Sequence, residues 1–251
     1  MNQPPSNNSV KVIFLIPFFN EKTNLINLHK SITSVSKQNG FLFKIIYLND
    51  KSSDNSGDVI LKYIEKNSLN QIMLMNNDEN MGHGRSLMKL CKHTIQNEKD
   101  YDYVVTLDSD FDVELEHFKE LLKIKGNTIG KRKRFEEGFF RSLITLSAEI
   151  IVLLKTGKFW RDSNCPFRIY DWQTFKTIFM QVPSSILTPN IVSTILFLNL
   201  NIKVHRINLR LLKQGLNDGI TWKGKFRFTK YIKLISFSYI ASKELIKFKS
   251  N

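Results

Sequence analysis

Val104-Val105-Thr106-Leu107-Asp108-Ser109-Asp110-Phe111-Asp112 is the stretch on which the reading of this chain turns. An apolar run stops abruptly in three alternating carboxylates. A short continuous apolar run reads as a strand buried on both faces. Open α/β sheets are built of such strands, and their ligands bind beyond the carboxyl ends. Asp108, Asp110 and Asp112 are therefore expected at a ligand edge. Clustered carboxylates repel one another and raise the free energy of the fold unless a cation lies between them. A hard divalent ion, Mg2+ or Mn2+, takes one or two carboxylates and fills its shell with water and phosphate oxygens. The same residues also suit a solvated acidic loop, with Asp112 or Glu114 at the positive end of a following helix.

Upstream, residues 12–16, 44–48 and 72–75 repeat the apolar run, and residues 103–107 form the fourth. Between them lie helical spacings: Leu25, Leu28, Ile32 and Val35; then Val59, Ile60, Tyr63 and Ile64; then Leu87, Leu90 and Cys91. Strands alternating with helices at short intervals predict a mostly parallel, doubly wound α/β sheet. Downstream the pattern loosens. Residues 127–130 read as a short strand, 139–154 as a helix and 162–170 as a loop entering a strand. Residues 191–200 read as a helix and 202–212 as a strand.

The chain has 251 residues and a net charge of +14. Its pI near 9.7 suits an anionic partner: nucleic acid, membrane surface or phosphorylated substrate. A nucleic-acid module is disfavoured, because the basic residues gather after residue 120 without the aromatic interleaving of an RNA-binding signature. Cys91 and Cys165 are far apart in sequence and predict no disulfide. No run of about 18 uncharged apolar residues predicts a membrane span. The expected organisation is a loose tail at 1–9, one domain at 10–220 and a basic amphipathic helical segment at 221–251. In that segment Lys230, Lys233, Lys243 and Lys247 alternate with apolar residues. The pattern fits a helix lying on a membrane, and equally one packed on the core with a lysine-rich outer face.

Four loops, in order, resemble those of the family 2 glycosyltransferases of GT-A fold, most like the polyprenyl-phosphate hexose synthases of the dolichol-phosphate mannosyltransferase type. Ile16-Pro17-Phe18-Phe19-Asn20-Glu21 matches the family's apolar-Pro-x-Tyr-Asn-Glu opening, with Phe19 for Tyr. Asn49-Asp50-Lys51-Ser52-Ser53-Asp54 matches its Asp-Asp-Gly-Ser-x-Asp turn, with Asn49 and Lys51 as departures. Asn80-Met81-Gly82-His83-Gly84 matches Asn-x-Gly-x-Gly, and Asp108-Ser109-Asp110 matches the metal motif. A weaker match continues through Gly130-Lys131-Arg132, Arg141-Ser142 and Asp162 to Arg168, where Pro166 replaces the family's Gly.

The resemblance implies a nucleotide sugar donor, UDP- or GDP-linked, and a Mg2+ or Mn2+ cofactor. It places Pro17, Phe19, Asn20, Glu21, Asp50, Gly82, Gly84, Asp108 and Ser109 around the substrate, with Asp50 reading the base. It implies metal binding by Asp108 and Asp110, with Asp112 as a third acid. Catalytic roles fall to Asp110, Arg132, Arg141, Asp162 and Arg168. A hydroxyl acceptor needs a carboxylate base, for which Asp162 is the candidate, whereas a phosphate acceptor needs only cations. Arg132, Arg141 and Arg168 suit phosphate, because guanidinium binds it as a fork; Lys131, Arg134 and Lys213 add charge. The Gln-x-x-Arg-Trp signature of processive polysaccharide synthases is missing. The expected reaction is inverting hexosyl transfer to a polyprenyl phosphate; transfer to a glycan hydroxyl is the alternative. A degenerate, inactive transferase is the reading prompted by Asn49, Lys51 and Pro166. The expected place is the cytoplasmic face of a membrane, peripherally bound to its anionic surface, with a membrane protein as a further partner and no nucleic acid.

Overall fold

The apolar run at 12–16 becomes the inside of a seven-stranded sheet. A computed structural model of the chain describes residues 9–110, 126–132, 139–209 and 228–248. The elements run β1 (Lys11–Phe18), α1 (Leu25–Asn39), β2 (Leu42–Asn49), α2 (Ser56–Lys66), β3 (Ile72–Asn76), α3 (His83–Asn97) and β4 (Tyr103–Thr106). After them come β5 (Asn127–Arg132), α4 (Phe139–Thr156), β6 (Arg168–Asp171), α5 (Trp172–Gln181), α6 (Pro189–Asn199), β7 (Val204–Leu209) and α7 (Phe228–Lys247). The strand order is β3-β2-β1-β4-β6-β5-β7. Pairing is parallel from β3 through β4 and between β5 and β7. Only β6 is reversed, antiparallel to both β4 and β5. This is the mixed, mostly parallel α/β architecture expected.

The consequence is one shared edge. Six strands point their carboxyl ends the same way. β6 starts at that edge, because Arg168 pairs with Thr106 at the end of β4. The loops after β1 to β3, residues 107–110 after β4 and the loop before β6 therefore gather at one edge, and the site is expected there.

Burial explains the strands. Val12 to Ile16 are all buried, as are Ile45 to Leu48, Val104 and Val105. α3 lies across β1 and packs against α5 and α6. An aromatic cluster seals that side. Tyr170 stacks on Phe197 at 5.6 Å and meets Phe179 edge-on at 5.3 Å. The helix α5, which the apolar pattern did not predict, starts because Asp171 caps it by accepting from the Thr174 N–H at 2.8 Å.

Arg168 is the first correction. It was expected to hold a phosphate, but its side chain is 0 % exposed. Its Nε donates to the Cys165 carbonyl at 2.8 Å, and Nη1 donates to Ser193 Oγ at 2.9 Å. Nη2 donates to the Ser163 carbonyl and to Thr194 Oγ1. A guanidinium has five donors in a fixed fork. Here they tie the loop before β6 to α6.

Two outcomes are expected. Arg168→Leu strands buried carbonyls and hydroxyls and should cost about 3–5 kcal/mol, read as a lower denaturant midpoint; an unchanged midpoint contradicts a structural role. His29 sits buried beside Tyr63, and burial lowers its pKa from 6.5 to about 4. The unfolded chain therefore takes up the proton first, and stability should fall as pH drops from 6.5 towards 4. His29→Phe should reduce that fall in unfolding midpoints measured across this window; an undiminished fall contradicts it.

Candidate active site

The first two loops are laced together. Asn20 takes a left-handed φ of 57°, its N–H donates to Ser52 Oγ at 3.0 Å, and its side-chain oxygen accepts from the Ser53 N–H at 2.8 Å. The Glu21 N–H donates to Ser56 Oγ at 2.9 Å, and its carboxylate accepts from Asn24 at 2.8 Å. Asp54 accepts from the Ser56 hydroxyl and from the N–H groups of Ser56 and Lys22. Partial burial would raise its pKa, but these hydrogen bonds outweigh that and lower it. Asn20 and Glu21, expected along the nucleotide, are thus placed as loop fasteners. Pro17 is buried at the end of β1, while Phe19 stands exposed at the rim.

Asp50 fixes the third loop. It is only 3 % exposed. One oxygen accepts from Asn77 Nδ2 and the Met81 N–H, both at 2.8 Å; the other accepts from the Gly82 N–H at 2.9 Å. The expectation was a carboxylate open to a base N–H. The fold commits it to the turn before α3.

The two glycines of that turn differ. Gly82 needs its φ of 83°, and a Cβ there would meet open space. Gly84 was expected to let a ligand approach. Instead, a Cβ on Gly84 would lie 2.0 Å from the Leu187 carbonyl oxygen, so what approaches is the protein's own backbone.

The acids of the fourth loop follow β4 directly. Thr106 Oγ1 donates to the Pro166 carbonyl at 3.0 Å, which pins this loop to the one before β6. Ser109 is buried, and Asp108 and Asp110 are half-buried. His83 Nε2 lies 3.3 Å from Asp108 Oδ1. That oxygen is itself buried and makes no hydrogen bond among the described residues. Burying a carboxylate oxygen is costly unless something cationic meets it. The donor set therefore fits a hard divalent ion. Asp112 lies outside the described residues, and among those described no group of three or more acidic, His or Cys side chains is placed to hold a metal ion. Two carboxylates are enough for Mg2+ or Mn2+ when phosphate completes the shell.

A cation stands opposite. Arg132, at the end of β5, grips Asp162 as a fork: Nε to Oδ2 at 3.1 Å and Nη2 to Oδ1 at 2.8 Å. The Arg132 N–H adds a third bond at 3.0 Å. Asp162 is held in turn by its own N–H, which donates to Glu149 Oε1 at 2.9 Å. Burial would lower the Arg132 pKa, but the bonds and charge of Asp162 raise it overall, with smaller help from Cys165 and Asp108. Arg132 therefore stays charged near Asp108. Asp162, the candidate base, is already engaged with a cation. Burial pushes the Cys165 thiol up to about 12, which keeps it unreactive. The Arg141 side chain, Arg134 and Lys213 lie outside the described residues.

Sequence reasoning missed a buried polar cluster around the start of α6. Thr188 occupies the N-cap of α6 yet makes no cap hydrogen bond. Its hydroxyl is buried without a hydrogen-bond partner, as are Asn190 Oδ1 and Ser163 Oγ. Thr194 Oγ1 lies 3.0 Å from both the Ser163 and the Asn190 carbonyls, which brings these groups together. The Thr-Pro pair at 188–189 was a helix-start signal that could have drawn attention to them.

A family model described as "Glycosyl transferase family 2" matches residues 13–179. A dolichyl-phosphate beta-glucosyltransferase of Trichomonas vaginalis is 27% identical over 191 residues, covering 68% of this chain and 56% of that protein. An undecaprenyl-phosphate 4-deoxy-4-formamido-L-arabinose transferase of Serratia proteamaculans is 29% identical over 164 residues, covering 64% of this chain and 48% of that protein. The chain spans about half the length of the curated relatives it matches. Among solved structures, mannosyl-3-phosphoglycerate synthase of Rubrobacter xylanophilus superposes with a TM-score of 0.62 at 12% identity, covering 95% of this chain and 74% of that one. Glucosyl-3-phosphoglycerate synthase of Mycobacterium tuberculosis, in complex with Mn2+, UDP-glucose and phosphoglyceric acid, gives 0.60 at 13% identity, covering 94% and 79%. At such identities these structures show the fold.

Removing one partner of the buried fork leaves a bare charge. Asp162→Asn should lower stability by about 3–5 kcal/mol by chemical denaturation. A loss within experimental error would mean that the pair is solvated and carries no structural load.

Proposed function

The chain belongs to glycosyl transferase family 2, and on that premise we propose that it transfers a hexose from a UDP- or GDP-linked donor to a polyprenyl phosphate, with inversion. The observation that carries the acceptor class is the Arg132–Asp162 fork beside Asp108. A hydroxyl acceptor would need Asp162 as its base, and that carboxylate is held by Arg132. A phosphate acceptor is already an anion and needs no base. The names of the polyprenyl-phosphate relatives support the same class.

The donor's diphosphate would lie over Asp108 and Asp110, the residues that would hold Mg2+ or Mn2+. When bound, the ion neutralises charge on the departing nucleoside diphosphate. His83 lines the Asp108 side of this site. Arg132 faces the incoming phosphate, its charge secured by Asp162. The transferred sugar's hydroxyls would meet the cluster of Ser163, Thr188 and Asn190, whose buried polar atoms lack protein partners. An acceptor phosphate oxygen then forms a bond to the anomeric carbon as the bond to the diphosphate oxygen breaks. With a lipid acceptor, the chain works at a bilayer surface, on the cytoplasmic face where nucleotide sugars are at hand. Among the described residues no helix is long and apolar enough to cross a membrane.

Labelled UDP-glucose or GDP-mannose, offered with polyprenyl phosphate and Mn2+, should move label into the organic phase. Asp108→Asn should lower that rate about 100-fold or more. Label appearing only on an oligosaccharide acceptor would contradict the lipid phosphate assignment.

A further inference from the structure

Two helices outside the site share an apolar face. On α4, Leu146, Ile150, Leu153 and Leu154 are exposed, at the i, i+4, i+7, i+8 spacing of a single stripe. On α7, Tyr239, Ile240 and Ile246 are exposed. Leu154 is 79% exposed and Ile246 62%. The helices pack together, and Lys155 Nζ donates to the carbonyls of Ile246 at 2.6 Å and Phe248 at 2.9 Å. Lys155 thus links the C-terminal ends of the two helices. Phe159, just past α4, is exposed as well. Exposed apolar stripes on neighbouring helices mark interaction surfaces.

The charges select the partner. α4 and α7 contain one acid each, Glu149 and Glu244. Both turn inward: Glu149 accepts from the Asp162 N–H, and Glu244 Oε2 accepts from the Leu187 N–H at 2.9 Å. Among the described side chains of α4 and α7, the exposed charges are Lys243 and Lys247; Lys155 reaches back to the carbonyls of Ile246 and Phe248, and Lys158, beyond α4, to that of Leu198. Lys243 Nζ stands 4.6 Å over the Tyr239 ring, on the stripe itself. A second copy of this face would bring like charges together. An anionic bilayer offers hydrocarbon for the exposed apolar residues and headgroups for the lysines.

We propose that the α4–α7 face is a docking surface for an anionic phospholipid bilayer. It deepens the lipid-acceptor reading and takes its biological purpose from it. The inward acids give the docking its geometry. Glu149 holds Asp162, which holds Arg132; Glu244 holds Leu187, whose carbonyl packs on Gly84 beside His83. Each docking helix is thus tied by its single acid to one wall of the site. Docking sets Arg132 at a fixed place relative to the headgroups, where a lipid phosphate lies.

Co-sedimentation of the full chain with vesicles tests this. Binding is expected to phosphatidylcholine vesicles doped with phosphatidylglycerol, weakening as salt rises, and not to phosphatidylcholine alone. The double variant Leu154→Asp/Ile246→Asp should bind the anionic vesicles about 10- to 100-fold more weakly, with an unchanged melting temperature. Its transfer to a short, water-soluble prenyl phosphate should match the unsubstituted chain. Equal vesicle binding by both proteins would overturn the proposal. So would a dimer in sedimentation velocity that the substitutions dissociate, because the face would then be covered by a second copy. Vesicle binding without transfer to any prenyl phosphate would sink the functional reading and leave the docking surface standing.

Discussion

Opposite charges buried side by side hold this site in register. Arg132 ends β5 and Asp162 precedes β6, and the fork between them joins the two segments that flank the reversed strand. Neither group would be tolerated alone at that depth, since an unpaired buried charge costs several kcal/mol. Glu149 orients the acid and the acid orients the guanidinium, so the cation stands near Asp108 before any ligand arrives. Asp50 does the equivalent work on the other side by fastening the turn that carries Gly82 and His83. Asp50 and Asp162, with firm structural partners, are the scaffold, whereas Asp108 Oδ1 is buried without a hydrogen bond among the described residues and faces His83 Nε2 at 3.3 Å.

Much of the fold could be read from the chain. Apolar runs at 12–16, 44–48, 72–75 and 103–107 announced the four parallel strands, because a strand covered on both faces has no room for polar alternation. What was hidden depends on long-range contacts. Nothing local says that β6 runs backwards between β4 and β5. The helix α5 has an aromatic, β-branched composition that reads weakly as helix, and Asp171 starts it through a cap. Arg168 looked like Arg132 in sequence; only the fold shows one enclosed by carbonyls and hydroxyls and the other at the ligand edge.

The site was legible as a set of loops and less so as a set of roles. Asp108, Asp110 and Arg132 stand at the carboxyl ends of β4 and β5, the edge where an open α/β sheet binds its ligands. Asn20, Glu21, Asp50 and Gly84 are spent on loop architecture. Residue type alone cannot separate these, because a carboxylate that fastens a turn and one that meets an ion look the same in sequence. The buried polar cluster of Ser163, Thr188 and Asn190 carried little signal. Its meaning comes from burial without a hydrogen-bond partner, a property of the folded state. The same logic links site and surface: α4 and α7 keep their only acids inward and present apolar residues and lysines outward.

The proposed transfer depends on Asp108 and Asp110 holding a divalent ion against a nucleoside diphosphate. Electron paramagnetic resonance of Mn2+ bound to the chain, recorded before and after adding UDP or GDP, measures that directly. The spectrum should sharpen or split on nucleotide addition, and the change should vanish in Asp108→Asn. A Mn2+ signal indifferent to both nucleotides, or a response unchanged in that variant, would contradict it.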